Sequence, residues 1–255
     1  MSSEITSIAL SSALQAKQYL QMITNDLANK ETAGYKYSDF RTKDSIYSSI
    51  NRSSTNDAGE SPVQLQLGTG SKVSSITRMN FQGVPRYTKR NLDLAIIGSG
   101  YFSVKSNGKF GYTRDGRFHI GSNGKLYNES GNEIDCDADF SDKEEHLIEF
   151  KKDGKVYYKD QEIGKIKIYT FINDQGLDAK GENIFDETDL SGKPEEKVLG
   201  IDHACIQAGC IESSNVEPMI ALQQFMEVNE MYQLAIKIME SVNKMNNNVA
   251  EKFSL

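Results

Sequence analysis

The stretch that decides the fold class is residues 92–127, LDLAIIGSGYFSVKSNGKFGYTRDGRFHIGSNGKLY. In it, short apolar and polar alternations are separated by glycines. The dipeptides Asn107-Gly108, Asp115-Gly116 and Asn123-Gly124 favour tight hairpins, because type I′ turns need positive φ at both central residues. The pattern predicts antiparallel strands at Leu92–Ile97, Gly100–Val104, Phe110–Thr113, Arg117–Ile120 and Lys125–Tyr127.

The β-rich region extends in both directions from this stretch. Further strands fit Leu147–Phe150, Val156–Tyr158 and Lys165–Phe171, so we expect a β domain over residues 76–210. Residues 41–75 are rich in Ser, Thr, Asn and Gly and have little apolar patterning. They predict an extended, weakly folded connection.

The N-terminal residues predict a helix. Apolar or small side chains recur at spacings of three and four, which keeps them on one helical face. They are Ala9, Ala13, Ala16, Leu20, Ile23 and Leu27. The helix is expected to end between Asn29 and Gly34, where turn-forming residues cluster.

The C-terminal residues predict a second helix, with Pro218 in its first turn, where a missing N–H costs nothing. Its apolar stripe, here called the seam, consists of Phe225, Val228, Tyr232, Ala235, Met239, Val242, Asn246 and Val249. A heptad stripe with one polar member indicates a coiled-coil seam facing a partner helix. A helix packed on its own domain is the alternative that the stripe alone leaves open.

The predicted fold is therefore α+β. A central antiparallel β domain (76–210) follows an N-terminal helical segment (1–40) and a linker (41–75), and precedes a C-terminal helical segment (211–255). The two helical segments are expected to pair as one coiled-coil-like layer. The predicted assembly contacts are the seam together with Leu20, Ile23, Leu27 and Asn29.

Charge and hydropathy exclude several classes of protein. The 255 residues carry 29 Lys and Arg against 36 Asp and Glu, a net charge of −7. A non-specific nucleic-acid binder needs positive charge to displace phosphate counterions, so nucleic acid is not an expected partner. No apolar run approaches the roughly 20 residues of a membrane span. The first twenty residues lack the pattern of a cleavable signal.

The sequence predicts no catalytic residue, no metal site and no cofactor. His203, Cys205 and Cys210 lie close together, but a structural zinc site needs about four ligands, and only His119, His146 and Cys136 remain elsewhere. Asp135, Asp137 and Asp139 match the first three ligand positions of an EF-hand calcium loop. Phe140 and His146, however, occupy the positions where an EF-hand needs Gly and Glu. Tyr112, Arg114 and Asp115 are interpreted as a surface salt bridge and a turn cap.

Several separated motifs resemble one known family, the flagellar rod and hook proteins. Asn25–Asn29 and Thr32-Ala33-Gly34-Tyr35-Lys36 resemble its N-terminal signature, and Glu212–Val216 with the last helix resembles its C-terminal one. The central block is represented by Leu92–Ile96, Gly98–Phe102 and Tyr112–Gly116, and further likeness lies at Leu65–Gly70 and Gly164–Phe171.

This resemblance implies a structural subunit in which paired terminal helices form an inner tube and the β domain an outer layer. The implied partners are copies of itself in a helical homo-oligomer, other rod proteins, the hook protein, periplasmic ring proteins and the flagellar export apparatus. The implied location is the basal body, reached without a cleaved signal peptide. Two alternatives stay open: an enzyme or small-ligand β domain with a helical dimerisation hairpin, and a flagellar adaptor or chaperone.

Overall fold

The structure is a computed structural model that describes residues 2–44, 47–51, 64–68, 70–106, 108–141, 143–199 and 204–253. These residues form two compact units. The first unit comprises the described residues of 1–27, 38–77 and 218–255, and the second comprises those of 28–37 and 78–217. Among the described residues, no helix combines the length and the apolar character that a membrane span requires.

The first unit contains both long helices. Its elements are α1 (Ser2–Ala28), β1 (Ser38–Asp44), β2 (Tyr47–Asn51), β3 (Gln64–Gly68), β4 (Ser71–Arg78), whose last residue belongs to the second unit, and α2 (Pro218–Phe253). Both predicted helices are confirmed. α1 ends at Ala28, just before the predicted Asn29–Gly34 region, and Pro218 opens α2.

Residues 41–75 differ from the expected weakly folded connection. β1 pairs with β4, and β2 pairs antiparallel with β3 in a register that sets Tyr47 opposite Gly68 and Asn51 opposite Gln64. Strand pairing uses backbone N–H and C=O groups, so a mostly polar segment can form strands, and in β3 a short alternation, Gln64-Leu65-Gln66-Leu67, favours one. Residues 52–63 lie outside the described part of the chain.

The second unit is built from antiparallel strands, which confirms the predicted central β domain. They are β5 (Pro85–Tyr87), β6 (Leu94–Ile97), β7 (Tyr101–Ser106), β8 (Lys109–Thr113), β9 (Phe118–Ile120), β10 (Leu126–Asn128), β11 (Glu133–Ile134), β12 (Ile148–Phe150), β13 (Lys155–Tyr158), β14 (Gln161–Lys165), β15 (Ile168–Thr170), β16 (Asp178–Gly181), β17 (Ile184–Asp186), β18 (Glu195–Glu196), β19 (Cys205–Ala208) and β20 (Cys210–Glu212). Two 3₁₀ turns are described, at Glu145–Leu147 and Asp174–Gly176.

The largest sheet has the strand order β16-β17-β8-β7-β11-β10-β9, and β15 pairs with both β7 and β18. A smaller meander runs β12-β13-β14. The last two strands of the unit in chain order pair with its first two: β19 with β6, and β20 with β5. The β domain is therefore closed by pairing between its first and its last strands.

Strand pairing confirms hairpins at two of the three predicted positions, although Asn107 itself lies outside the described residues. β7 pairs with β8 through Ser106 opposite Lys109, on either side of Asn107-Gly108, and β9 pairs with β10 around Asn123-Gly124. The turn predicted at Asp115-Gly116 is wrong, because β8 pairs with β7 and β17 rather than with β9. Gly116 instead lies against the backbone of Leu94, where an added Cβ would stand 1.6 Å from the Leu94 oxygen.

The predicted strand Lys165–Phe171 is divided in the structure. β14 ends at Lys165 and β15 begins at Ile168, while Ile166 between them forms an isolated bridge with Cys136. The strands on either side therefore belong to different sheets, although the apolar pattern runs across the break.

The core of the second unit lies between these sheets. Its fully buried side chains include Leu94, Ile96, Phe102, Phe118, Ile148 and Ile168. Burying each side chain of this size contributes about 1.5–3 kcal/mol. A second cluster joins Tyr101, Tyr112 and Phe185, and Phe171 packs edge-on against Tyr112 with the ring centroids 4.7 Å apart.

Candidate functional site

The seam predicted on α2 lies on the least exposed face of that helix. Val228 and Ala235 are buried, whereas Phe225, Tyr232, Met239 and Val242 are half-buried. Asn246 is exposed, and the side chain of Val249 lies outside the described set. The structure thus places six of the eight seam residues on one protected line, and the line ends before Asn246.

α2 carries a second apolar stripe that the sequence-based expectations do not include. We call it the outer stripe; it consists of Ile220, Met231, Leu234, Ile238 and Met245, each between 46% and 66% exposed. At 100° per residue it lies about a quarter turn from the seam. The signal was available, because Met231, Ile238 and Met245 are spaced by seven residues. The heptad pattern is assigned to the seam alone, because the seam has more members than the outer stripe.

The predicted contacts of α1 are divided between helix and turn. Ile23 is buried with Ala9, Ala13 and Ala16, while Leu20 and Leu27 are half-buried. Asn29 lies beyond the helix, in a turn where its Oδ1 accepts a hydrogen bond from Thr32 Oγ1 at 3.2 Å. The alanines leave a flat face on α1, which allows another element to approach closely.

Both helices border one cavity of about 450 Å³ in the first unit, and β1 and β4 complete its wall. Ala16 and Tyr19 line it from α1, and Val228 and Met231 line it from α2. The Tyr19 ring stacks on Phe40 with the centroids 4.6 Å apart. Burial, together with nearby acidic groups such as Asp39, raises the pKa of Tyr19.

The second unit brings together three of the motifs quoted from the sequence. The N–H of Gly34 donates a hydrogen bond to the backbone oxygen of Glu212 at 2.8 Å. Gly34 has φ +69°, and a Cβ there would stand 2.6 Å from the backbone carbon of Arg114. Only glycine fits such a conformation and such a close approach. Segments 32–36, 112–116 and 212–216 therefore meet at one place, although long stretches of chain separate them.

A buried ion cluster occupies this meeting point. The Glu212 carboxylate, 1% exposed, pairs with Lys36 Nζ through Oε1 and with Arg114 Nη1 through Oε2, the latter at 3.1 Å. The backbone N–H of Gly83 donates to Glu212 Oε1 at 2.9 Å. Lys36 is 2% exposed and Arg114 is 5% exposed, so all three charges are withdrawn from water.

The cluster holds two positive charges and one negative charge. Burial lowers the pKa of Lys36, while the charge and hydrogen bond of Glu212 act in the opposite direction. The Arg114 guanidinium lies 5.1 Å above the centroid of the Tyr101 ring, whose negative face attracts cations. Burial raises the pKa of the nearby Asp174, although Arg114 attracts its charge.

The surface salt bridge predicted for Arg114 is wrong. Arg114 is buried because Glu212, distant in sequence, supplies its counter-charge. The turn-cap interpretation fits Asp115, whose Oδ1 accepts the Arg117 N–H at 3.1 Å. Nothing local in the sequence marks Glu212 as a buried acid.

The candidate metal ligands are dispersed. Within the described residues, no group of three or more His, Cys, Asp or Glu side chains is arranged to hold a metal ion, and His203 lies outside that set. Cys205 belongs to β19, and Cys210 is buried in β20. In the acidic loop, Asp137 pairs with Lys167 at 3.0 Å, and Asp139 accepts hydrogen bonds from Ser141.

Comparison with known proteins identifies the family. Residues 95–158 match a family model described as the flagellar hook protein FlgE/F/G D1 domain. The flagellar basal-body rod protein FlgG of Buchnera aphidicola (subsp. Acyrthosiphon pisum) is 32% identical over 243 residues, which cover 91% of this chain and 93% of that protein.

Caulobacter vibrioides has two similar proteins. Its flagellar basal-body rod protein FlgG is 30% identical over 251 residues, covering 92% of this chain and 94% of that protein. Its flagellar basal-body rod protein FlgF is 27% identical over 249 residues, covering 96% of each. From likeness over nearly the whole length, with the signature motifs joined in one buried cluster, we conclude that the chain belongs to the family of flagellar basal-body rod proteins.

Proposed function

We propose that this rod-family subunit assembles with copies of itself into a helical tube that transmits torque from the flagellar motor to the hook. The observation that carries the proposal is the outer stripe of α2, a row of large apolar side chains left open to water. Contiguous exposed apolar surface is typical of interaction sites. A contact between two different faces, repeated without closing into a ring, generates a filament.

We also propose that α1 and α2 pair through the seam in a coiled-coil-like layer. The shared cavity and the burial of Val228, Ala235 and Ile23 support such a pairing. The seam then stabilises the helical layer of one subunit, and the outer stripe remains available to a neighbouring copy. Each apolar side chain that a neighbour buries fully contributes about 1.5–3 kcal/mol.

The proposed position is the distal rod. Identity to the FlgG relative from Buchnera is 32%, against 27% to the FlgF relative, so a proximal position is the alternative within the family. Other rod proteins, the hook protein, periplasmic ring proteins and the export apparatus are the proposed partners. The relatives are named as rod proteins, and we propose no enzymatic role.

Complementation of a strain that lacks this chain tests the proposal. Leu234 is 58% exposed, so Leu234→Asp is expected to leave the purified subunit as stable as wild type and yet block rod assembly. Val242→Asp, in the seam, is expected to block assembly, lower the helical signal in circular dichroism, and leave the second unit folded. Gln233→Glu adds the same charge on an exposed face away from both stripes, and is expected to restore swimming.

The outcomes distinguish the role of the seam from the role of the outer stripe. Normal swimming with Leu234→Asp would refute the outer stripe as an assembly surface. Unfolding of the second unit by Val242→Asp would show that the seam packs within the β domain's own core. Complete rods in a strain without this chain would refute the rod function itself.

A further inference from the structure

The chain passes between the two units at four points, 27/28, 37/38, 77/78 and 217/218. Three of these points have neighbouring residues in the second unit that contact one another. Tyr37 precedes the crossing at 37/38, Met79 follows the one at 77/78, and Asn215 precedes the one at 217/218. Force that reaches the second unit along these three segments arrives where these residues meet.

The side-chain amide of Asn215 joins all three segments. Its Oδ1 accepts the backbone N–H of Tyr37 at 2.8 Å, and its Nδ2 donates to the oxygens of Met79 at 2.8 Å and Phe81 at 3.1 Å. The N–H of Met79 in turn donates to the Tyr37 oxygen at 2.9 Å. An amide provides a donor and an acceptor on one short side chain, which a carboxylate or a methyl group does not.

The buried ion cluster is continuous with this network. Lys36 Nζ donates to the Phe81 oxygen at 2.7 Å, so Phe81 accepts from both Lys36 and Asn215. Glu212 then links Lys36 to the N–H of Gly83. Hydrogen bonds that share partners in a low-dielectric setting strengthen one another. The connected group is expected to open and close as one.

We propose that Asn215, Lys36 and Glu212 form a clasp, a connected network of hydrogen bonds and ion pairs that holds the three chain exits together under load. Torque that reaches the second unit along these three segments then acts on the β domain where the segments are joined to one another. This proposal rests on the proposed role as a rod subunit. Asn215, Lys36 and Glu212 are positioning residues in it, because they act by holding other segments of this chain in place.

Hydrogen exchange of the full-length subunit tests whether the clasp is one cooperative unit. Asn215→Ala is expected to accelerate exchange of the Tyr37, Met79 and Gly83 amides together, on the order of tenfold. Gly83 is decisive because it bonds to Glu212 and not to Asn215. Acceleration confined to Tyr37 would overturn the clasp.

Two further variants keep this experiment interpretable. Asn215→Asp retains the acceptor for Tyr37, loses the donors and sets a charged oxygen against the Met79 and Phe81 oxygens, so the clasp predicts acceleration at Met79 and Gly83 even here. Asn173→Ala is the matched control. The Asn173 amide also bonds at both ends, to the Gln175 N–H and the Leu190 oxygen, and none of these three residues adjoins a crossing. It should leave the three amides unchanged, and acceleration by Asn173→Ala would likewise overturn the clasp.

A load experiment tests the mechanical role. Complemented cells are compared with wild type in media of rising viscosity, and their isolated basal bodies are imaged. Asn215→Ala rods are expected to assemble, while the swimming speed relative to wild type falls as viscosity rises. If the ratio of variant to wild-type swimming speed is the same at every viscosity, the mechanical role is wrong. Failure of rods to assemble in both Asn215 variants would likewise overturn it, and would indicate a role in folding instead. Complete rods in cells without this chain would instead refute the proposed function, whatever the exchange rates.

Discussion

Replacing Glu212 by Gln is the most direct perturbation of the buried ion cluster. The carboxylate accepts from Lys36, Arg114 and the Gly83 N–H, and it carries the negative charge that faces two buried cations. Glutamine has a similar shape and keeps one acceptor oxygen. It removes the charge and turns an amide NH₂ group toward a cation. The substitution therefore separates charge compensation from packing.

The expected magnitude follows from burial. Breaking a buried ion pair by removing one partner costs about 3–5 kcal/mol, because the remaining charge stays desolvated. That is a large part of the roughly 5–15 kcal/mol that stabilises a typical domain. Glu149→Gln is the matched control: its side chain is 63% exposed, and it pairs with Lys151 at 2.9 Å. An exposed pair of this kind contributes about 0–1 kcal/mol.

The assay is urea unfolding of each full-length variant, followed by circular dichroism in the β region. We expect Glu212→Gln to lower the midpoint strongly at an unchanged slope, and Glu149→Gln to stay close to wild type. The double variant Lys36→Met/Glu212→Gln should lose less than the sum of the single losses, because the two side chains interact directly. A loss below about 1 kcal/mol for Glu212→Gln, like that of an exposed pair, would refute the reasoning.

Two further predictions concern the second unit. Gly34→Ala should lower the free energy of unfolding much more than Gly108→Ala does. Gly108 also has positive φ, but a Cβ added there meets nothing within 4 Å. Equal losses in urea titrations would show that the close approach of Gly34 to Arg114 is unimportant. Burial raises the pKa of the Cys136 thiol from 9.0 to about 11. Since the unfolded chain releases this proton first, wild type should lose more stability than Cys136→Ala between pH 9 and pH 11, and parallel pH profiles of the two proteins would contradict this.

The parts of the fold that local patterns determine could be predicted from the sequence. The spacing of Ala9, Ala13 and Ala16 indicates a helix because helical periodicity is a property of neighbours along the chain. The hairpin at Asn123-Gly124 is indicated by a glycine that tolerates positive φ, and Gly124 has φ +70°, although Asn123 does not share the positive φ of a type I′ turn. Gly116 looks identical in sequence, but it lies against Leu94 and forms no hairpin. Sequence does not distinguish a glycine needed for a turn from one needed for a close approach.

The ion cluster could not be predicted, because its members lie far apart along the chain. Charged residues are usually exposed, so Lys36 and Glu212 taken singly indicate surface positions. Each is buried only because the other, 176 residues away, supplies its partner. The strands β2 and β3 were missed for a different reason. β3 alternates over only four residues, Gln64-Leu65-Gln66-Leu67, within a segment whose composition otherwise favours loops.

The pairing of the last β strands with the first ones controls when the β domain can be completed. β5 and β6, over residues 85–97, find their strand partners among the described residues only in β20 and β19, over residues 205–212. Pairing at such separation closes a long loop before any contact stabilises it, and is therefore slow. A chain that leaves a ribosome or a narrow passage with its N-terminus first cannot close this domain until residue 212 has emerged. Delayed closure therefore leaves completion of the β domain to the last stage of synthesis, when β19 and β20 become available to β6 and β5.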